Sequence, residues 1–125
     1  MAGDTRLICA SNELVDGARG VRFELPTGSQ GFAVRHCGAV RAYVNRCPHS
    51  GTELDWQPGE FFEETGLYLI CSTHGALFEP GSGFCVAGPS RGASLEPVAI
   101  RERGGQVVML VNEARANDNP ESETR

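Results

Sequence analysis

A chain of 125 residues with a formal net charge of -5 can build one modest hydrophobic core, not a core plus a separate catalytic domain. Its 11 basic residues are scattered among 16 acidic ones, so no clustered basic face is expected to meet a nucleic-acid backbone. No run of about 20 apolar residues is present to span a bilayer, and the opening MAGDTRLICASNELV has neither a basic leader nor an apolar segment with a cleavage site, so a cytoplasmic chain without a membrane anchor is expected.

In chain order, TRLICA (5 to 10) and VRFEL (21 to 25) are the weaker strand patterns, with SNEL (11 to 14) between them as one helical turn. QGFAVRH (30 to 36) alternates with Phe32 and Val34 on one face, and AVRAYVNR (39 to 46) with Val40, Ala42 and Val44. Cys37-Gly38 joins the two as a hairpin. GLYLIC (66 to 71), ALFE (76 to 79), GFCVAG (83 to 88), VAIRE (98 to 102) and QVVMLV (106 to 111) follow, with Gly104-Gly105 as a second hairpin turn. With 16 glycines, 7 prolines and no helical period, the pattern predicts an all-β, antiparallel fold with long loops. A single domain is expected over 1 to 112, and the polar stretch from 113 to 125 is expected to be a disordered tail.

Five cysteines are an odd number for a disulfide scaffold, and in a reducing compartment such thiols stay available for metal. Cys47-Pro48-His49 lies on one loop, and Cys71-Ser72-Thr73-His74-Gly75 on another, with residues 50 to 70 between them. Each loop offers one thiolate and one imidazole held close together. Two such loops facing each other can enclose zinc or an iron-sulfur centre. Cys9, Cys37, Cys85 and His36 are read as ordinary core or surface residues.

CPHSGTEL followed by CSTHGALFEPGSGFCVAGP resembles the Rieske family, whose pattern is C-x-H, a spacer, C-x-x-H-G, an aromatic, a Gly-rich turn and a Gly-Pro loop. The resemblance runs over about residues 5 to 112 and takes in Gly51, Gly75, Phe78, Gly83 and Gly88-Pro89. It implies a small antiparallel β-sandwich with a two-loop cluster-binding part at about 45 to 90. It also implies a [2Fe-2S] cofactor, with Cys47 and Cys71 on the inner iron and His49 and His74 on the outer one. Two ferric ions, two sulfides and two thiolates sum to zero charge, so an electron enters more readily than at a four-thiolate centre. Histidine ligation accordingly lifts the potential from about -400 mV to a range of about -150 to +300 mV.

High-potential members of the family resemble C-T-H-L-G-C and C-P-C-H-G-S with a tyrosine beyond, their extra cysteines forming a disulfide between the loops. Here Thr52 and Thr73 take the cysteine positions, Ala76 the serine and Phe78 the tyrosine, so a potential near the bottom of the range is expected. No second iron site, NAD or FAD fingerprint is legible, which leaves a soluble ferredoxin-like carrier between a reductase and an acceptor such as an oxygenase, rather than an enzyme. The alternatives are a zinc-closed interaction module and a cluster-based sensor or regulatory subunit, for which Cys37 or Cys85 would be the place for a second redox chemistry. The spacer is long for the family, its excess falling at Trp56 to Thr65. That segment reads either as Phe61 or Phe62 capping the core beside solvated Glu60, Glu63 and Glu64, or as an acidic docking rim with an aromatic anchor.

Overall fold

The computed structural model describes residues 5–89 and 91–111. The stretch expected to be a tail, 113 to 125, lies outside them. Among the described residues nine short strands form in chain order: β1 Thr5–Ala10, β2 Val21–Glu24, β3 Gln30–His36, β4 Ala39–Val44, β5 Leu69–Ile70, β6 Leu77–Phe78, β7 Cys85–Ala87, β8 Ile100–Arg103 and β9 Gln106–Leu110. A 3-10 turn covers Ser11–Glu13. The strands pair antiparallel in three three-stranded sheets, ordered β1-β9-β8, β2-β3-β4 and β5-β6-β7. The all-β antiparallel architecture expected from the alternation is the one observed.

The β3-β4 connection is a two-residue hairpin closed by His36 opposite Ala39. Both turn residues, Cys37 and Gly38, have positive φ (52° and 82°), as a turn matching the strand twist requires. Asp16 holds the turn from outside, its carboxylate accepting the Cys37 amide at 3.0 Å and the Gly38 amide at 2.6 Å. Arg35 ties the same hairpin to its neighbours. Its guanidinium donates to the carbonyls of Leu14, Ser11 and Gly38 and, as a two-pronged pair, to Glu102 at 3.1 and 2.7 Å. That arginine pulls the Glu102 carboxyl below its usual range, and Glu102 in turn raises the guanidinium.

The β2-β3-β4 sheet lies between two cores. Phe32 and Val34 of β3 and Tyr43 of β4 face one, with Leu54, Phe61, Leu69, Phe78, Cys85 and Leu95. Ala33 and Ala42 face the other, with Cys9, Leu14, Leu25, Val98, Val107 and Met109. Strand β3 is therefore buried on both sides, and its second face is small because it packs against a neighbouring sheet. Phe61 stacks on Phe32 with ring centroids 4.0 Å apart and planes 12° apart, while the Tyr43 hydroxyl crosses to the Pro80 carbonyl at 2.7 Å.

The 56 to 65 excursion resolves toward the capping alternative. Phe61 is buried and Phe62 bridges back to Leu69. Glu60 pairs with Arg19 at 2.9 Å. The Glu63 carboxylate accepts the Thr65 hydroxyl and the amides of Thr65, Leu67 and Tyr68, which stabilise its charged form and lower its pKa. Glu63 thus serves the loop itself and Glu60 ties it to Arg19, whereas Trp56 stands 82% exposed.

Candidate metal centre

Two loops leave the first core side by side, one from the end of β4 and one from the end of β5. Their backbones fold in the same way. In the first, the Cys47 amide donates to the Thr52 carbonyl at 2.7 Å and the Cys47 carbonyl accepts the Gly51 amide at 2.8 Å. In the second, the Cys71 amide donates to the Ala76 carbonyl at 2.9 Å and the Cys71 carbonyl accepts the Gly75 amide at 2.8 Å. Each cysteine thus bonds residues four and five positions on, and each loop turns back through a glycine at φ 76°, a left-handed conformation that side chains other than glycine resist.

This repeated turn places like donors at like depth. Cys47 and Cys71 are each 1% exposed and belong to the same buried cluster, while His49 and His74 are exposed. The two imidazole rings meet edge to face, centroids 5.2 Å apart at 76°. The two loops that carry the four residues singled out in the sequence therefore lie against each other, with the thiols buried and the rings exposed. Their chemistry, two soft thiolates and two imidazoles, is that of a [2Fe-2S] centre with mixed ligation. Among the described residues no three His, Cys, Asp or Glu side chains converge on one ion position. A two-iron centre asks two protein donors of each iron, the sulfides supplying the rest, and two cysteines with two histidines meet that demand. The donors present fit the cluster.

Residues that the sequence reading did not single out hold the loops. Asn45 and Asp55 bracket the first loop and are both buried. The Asn45 amide nitrogen donates to Asp55 at 2.9 Å, while the Asn45 side-chain oxygen accepts the Leu54 amide at 2.8 Å. Asp55 also accepts the Gly59 amide at 3.0 Å and faces Arg22 Nε at 3.8 Å, an ion pair without a hydrogen bond. The Leu54 carbonyl, in turn, accepts both the Ser72 amide at 3.0 Å and the Ser72 hydroxyl at 2.7 Å, joining the first loop to the second. The available sign was a pair of short polar side chains flanking a ligand loop, each able to satisfy backbone groups that a turn leaves unpaired.

The other positions singled out in the sequence divide between this site and the rest of the molecule. Ala76 and Phe78 are buried beside the two cysteines in the first core. Cys85 is fully buried, with its thiol donating to the Ala87 carbonyl at 3.2 Å, so it is closed to solution redox chemistry. Cys37 is exposed on the β3-β4 hairpin, its sulfur 3.5 Å from the His36 ring. No disulfide joins any of the five cysteines.

A family model described as "Rieske [2Fe-2S] domain" matches residues 5–101. Oxidoreductase NdmD of Pseudomonas putida is 35% identical over an alignment 75 positions long that covers 54% of this chain and 12% of that protein. The ferredoxin of carbazole 1,9a-dioxygenase from Nocardioides aromaticivorans IC177 superposes with a TM-score of 0.68 at 21% identity, over 84% of this chain and 95% of that one. The terminal oxygenase of the same dioxygenase gives 0.71 at 18% identity, over 97% of this chain and 32% of that one. At such identities these two likenesses show the fold. Among the described residues no helix is long and apolar enough to cross a membrane.

Proposed function

Because the chain belongs to the Rieske [2Fe-2S] domain family, we propose that it is a one-electron carrier whose cluster is held by Cys47 and Cys71 on the inner iron and by His49 and His74 on the outer. The observation that carries the assignment is the depth ordering of the four donors: two thiols buried in the first core and two exposed rings in contact above them. When bound, the cluster supplies a one-electron couple. The chain's own residues do the rest. The buried cysteines and the surrounding apolar side chains keep water from the inner end. The exposed imidazoles form the edge through which an electron can pass to a docked protein, and their outward nitrogens are open to protons.

We further propose that the potential is low for the family and that the protein passes electrons from a reductase to an oxygenase or a comparable acceptor. Ala76 and Phe78 bring no hydroxyl to the buried end of the site, and Thr52 and Thr73 cannot form a disulfide. Resemblance to a dioxygenase ferredoxin along nearly its whole length supports such a place in a relay. The zinc alternative is weaker because the family model that matches the chain is that of a [2Fe-2S] domain.

The deciding experiment is iron and sulfide analysis with visible and EPR spectra of the purified protein, followed by redox titration. Two irons and two sulfides with a midpoint below zero are expected. Stoichiometric zinc without sulfide would overturn the cluster assignment, and a midpoint well above zero would overturn the low-potential assignment alone.

A further inference from the structure

The two loops meet at two heights. At the base the contact runs through main chain, where the Leu54 carbonyl accepts the Ser72 amide and hydroxyl. Further along each loop the contact is made by side chains alone: the hydroxyls of Thr52 and Thr73 lie 3.1 Å apart across a separation of 21 residues. The Thr52 hydroxyl is also 2.7 Å from the Ser50 hydroxyl, giving a chain of three hydroxyls that crosses from one loop to the other. A hydroxyl donates once and accepts twice, so both contacts can be satisfied together.

The placement of this chain matters more than its strength. The Thr52 carbonyl receives the Cys47 amide, so Thr52 cannot shift without moving the first cysteine's turn. Thr73 directly precedes His74. A bond between the two threonines therefore couples the turn of one loop to the ring-bearing residue of the other. Both threonines are exposed, so removing the hydroxyls disturbs little packing. The base contact would remain and hold the loops in register, leaving their outer halves free to part.

We propose that Thr52 and Thr73 are positioning residues, forming a hydroxyl clasp that sets the spacing of the two outer imidazoles and keeps the site closed. The proposal rests on the assignment of Cys47, His49, Cys71 and His74 as ligands. It gives the threonines a task beyond marking the lack of a disulfide. Valine keeps the shape and backbone preference of threonine while removing the hydroxyl, and serine keeps the hydroxyl while removing the methyl.

The test compares the full-length holoprotein with Thr52→Val, Thr73→Val, the double variant, and Thr52→Ser with Thr73→Ser. Iron release to a chelator and the EPR spectrum of the reduced cluster are the readouts. Loss of a group that orients ligands commonly costs 10-fold to 100-fold in metal affinity, so each valine variant should release iron about tenfold faster with a shifted EPR spectrum. The double variant should match Thr52→Val, which already removes the Thr52–Thr73 contact along with the Ser50 one, and serine should restore both readouts. Valine variants with unchanged release and spectra, or a double variant whose effect is the product of the singles, would overturn the clasp. A second measurement is independent of the cluster: Thr52→Cys with Thr73→Cys, mildly oxidised and mapped by mass spectrometry, should link the two positions. If no link forms, the clasp geometry is wrong whatever the ligands are. If it forms in a protein lacking the two-iron spectrum, the ligand assignment fails while the loop contact stands.

Discussion

Ala76 sits at the buried end of the site with its carbonyl on the Cys71 amide, and its small side chain leaves that end without a donor. Ala76→Ser should raise the midpoint, because a donor to a centre that gains negative charge favours the reduced form. A hydrogen bond to a charged group is worth at least about 1.5 kcal/mol, which for one electron is on the order of 60 mV. Phe78→Tyr should move the potential in the same direction, and redox titration of both variants checks the pair. Gly88 lies against this residue. A side chain there would place its first carbon 2.9 Å from the Ala76 Cα at a φ of 97°. Gly88→Ala should therefore lower stability by about 1–3 kcal/mol through backbone strain, measured by urea unfolding.

Between elements, single side chains do the joining. Tyr43 reaches from β4 to the Pro80 carbonyl, and burial pushes its phenol up from 10.0 to about 12, with the Glu79 carboxylate adding to the rise against Arg41. A raised folded pKa means that the contribution is complete below about pH 10 and is lost as pH climbs toward 12, since the unfolded phenol ionises first. Stability should fall across that window in the natural protein. In Tyr43→Phe that component of the fall should vanish, as pH-dependent urea unfolding would read. Phe61 performs a similar service for the long excursion before β5. Phe61→Ala removes the stacked partner of Phe32 from a fully buried position and should destabilise by about 3–5 kcal/mol, checked by chemical denaturation. The acidic docking alternative for this segment is correspondingly narrowed, because Glu60 is paired with Arg19 and Glu63 is bound by its own loop.

At the scale of the whole molecule, the two cores divide the labour. The first contains Cys47 and Cys71, and the second, between β1-β9-β8 and β2-β3-β4, contains none of the proposed ligands. Cluster removal, or His49→Ala or His74→Ala, should therefore act unevenly. Amide exchange should speed up in residues 45–55 and 69–78 while β8 and β9 keep their protection, which hydrogen-exchange mass spectrometry can resolve. Uniform loss of protection would show instead that the metal holds the entire fold.

Strand positions and ligand candidates were legible because both are local. Alternation with Gly and Pro punctuation marks QGFAVRH and QVVML as strands, and C-x-H and C-x-x-H each lie on a few consecutive residues. The sequence by itself determined an antiparallel all-β chain with two like-armed loops. Tertiary structure alone decided that β1 closes on β9, that β3 is buried on both faces, and that Phe61 turns inward while Trp56 turns out. It also decided that Asn45 meets Asp55 and Thr52 meets Thr73. These contacts join residues 10 to more than 100 positions apart. No local period encodes them, because they follow from how sheets and loops fill common space, and a residue's choice between solvent and core depends on what arrives opposite it.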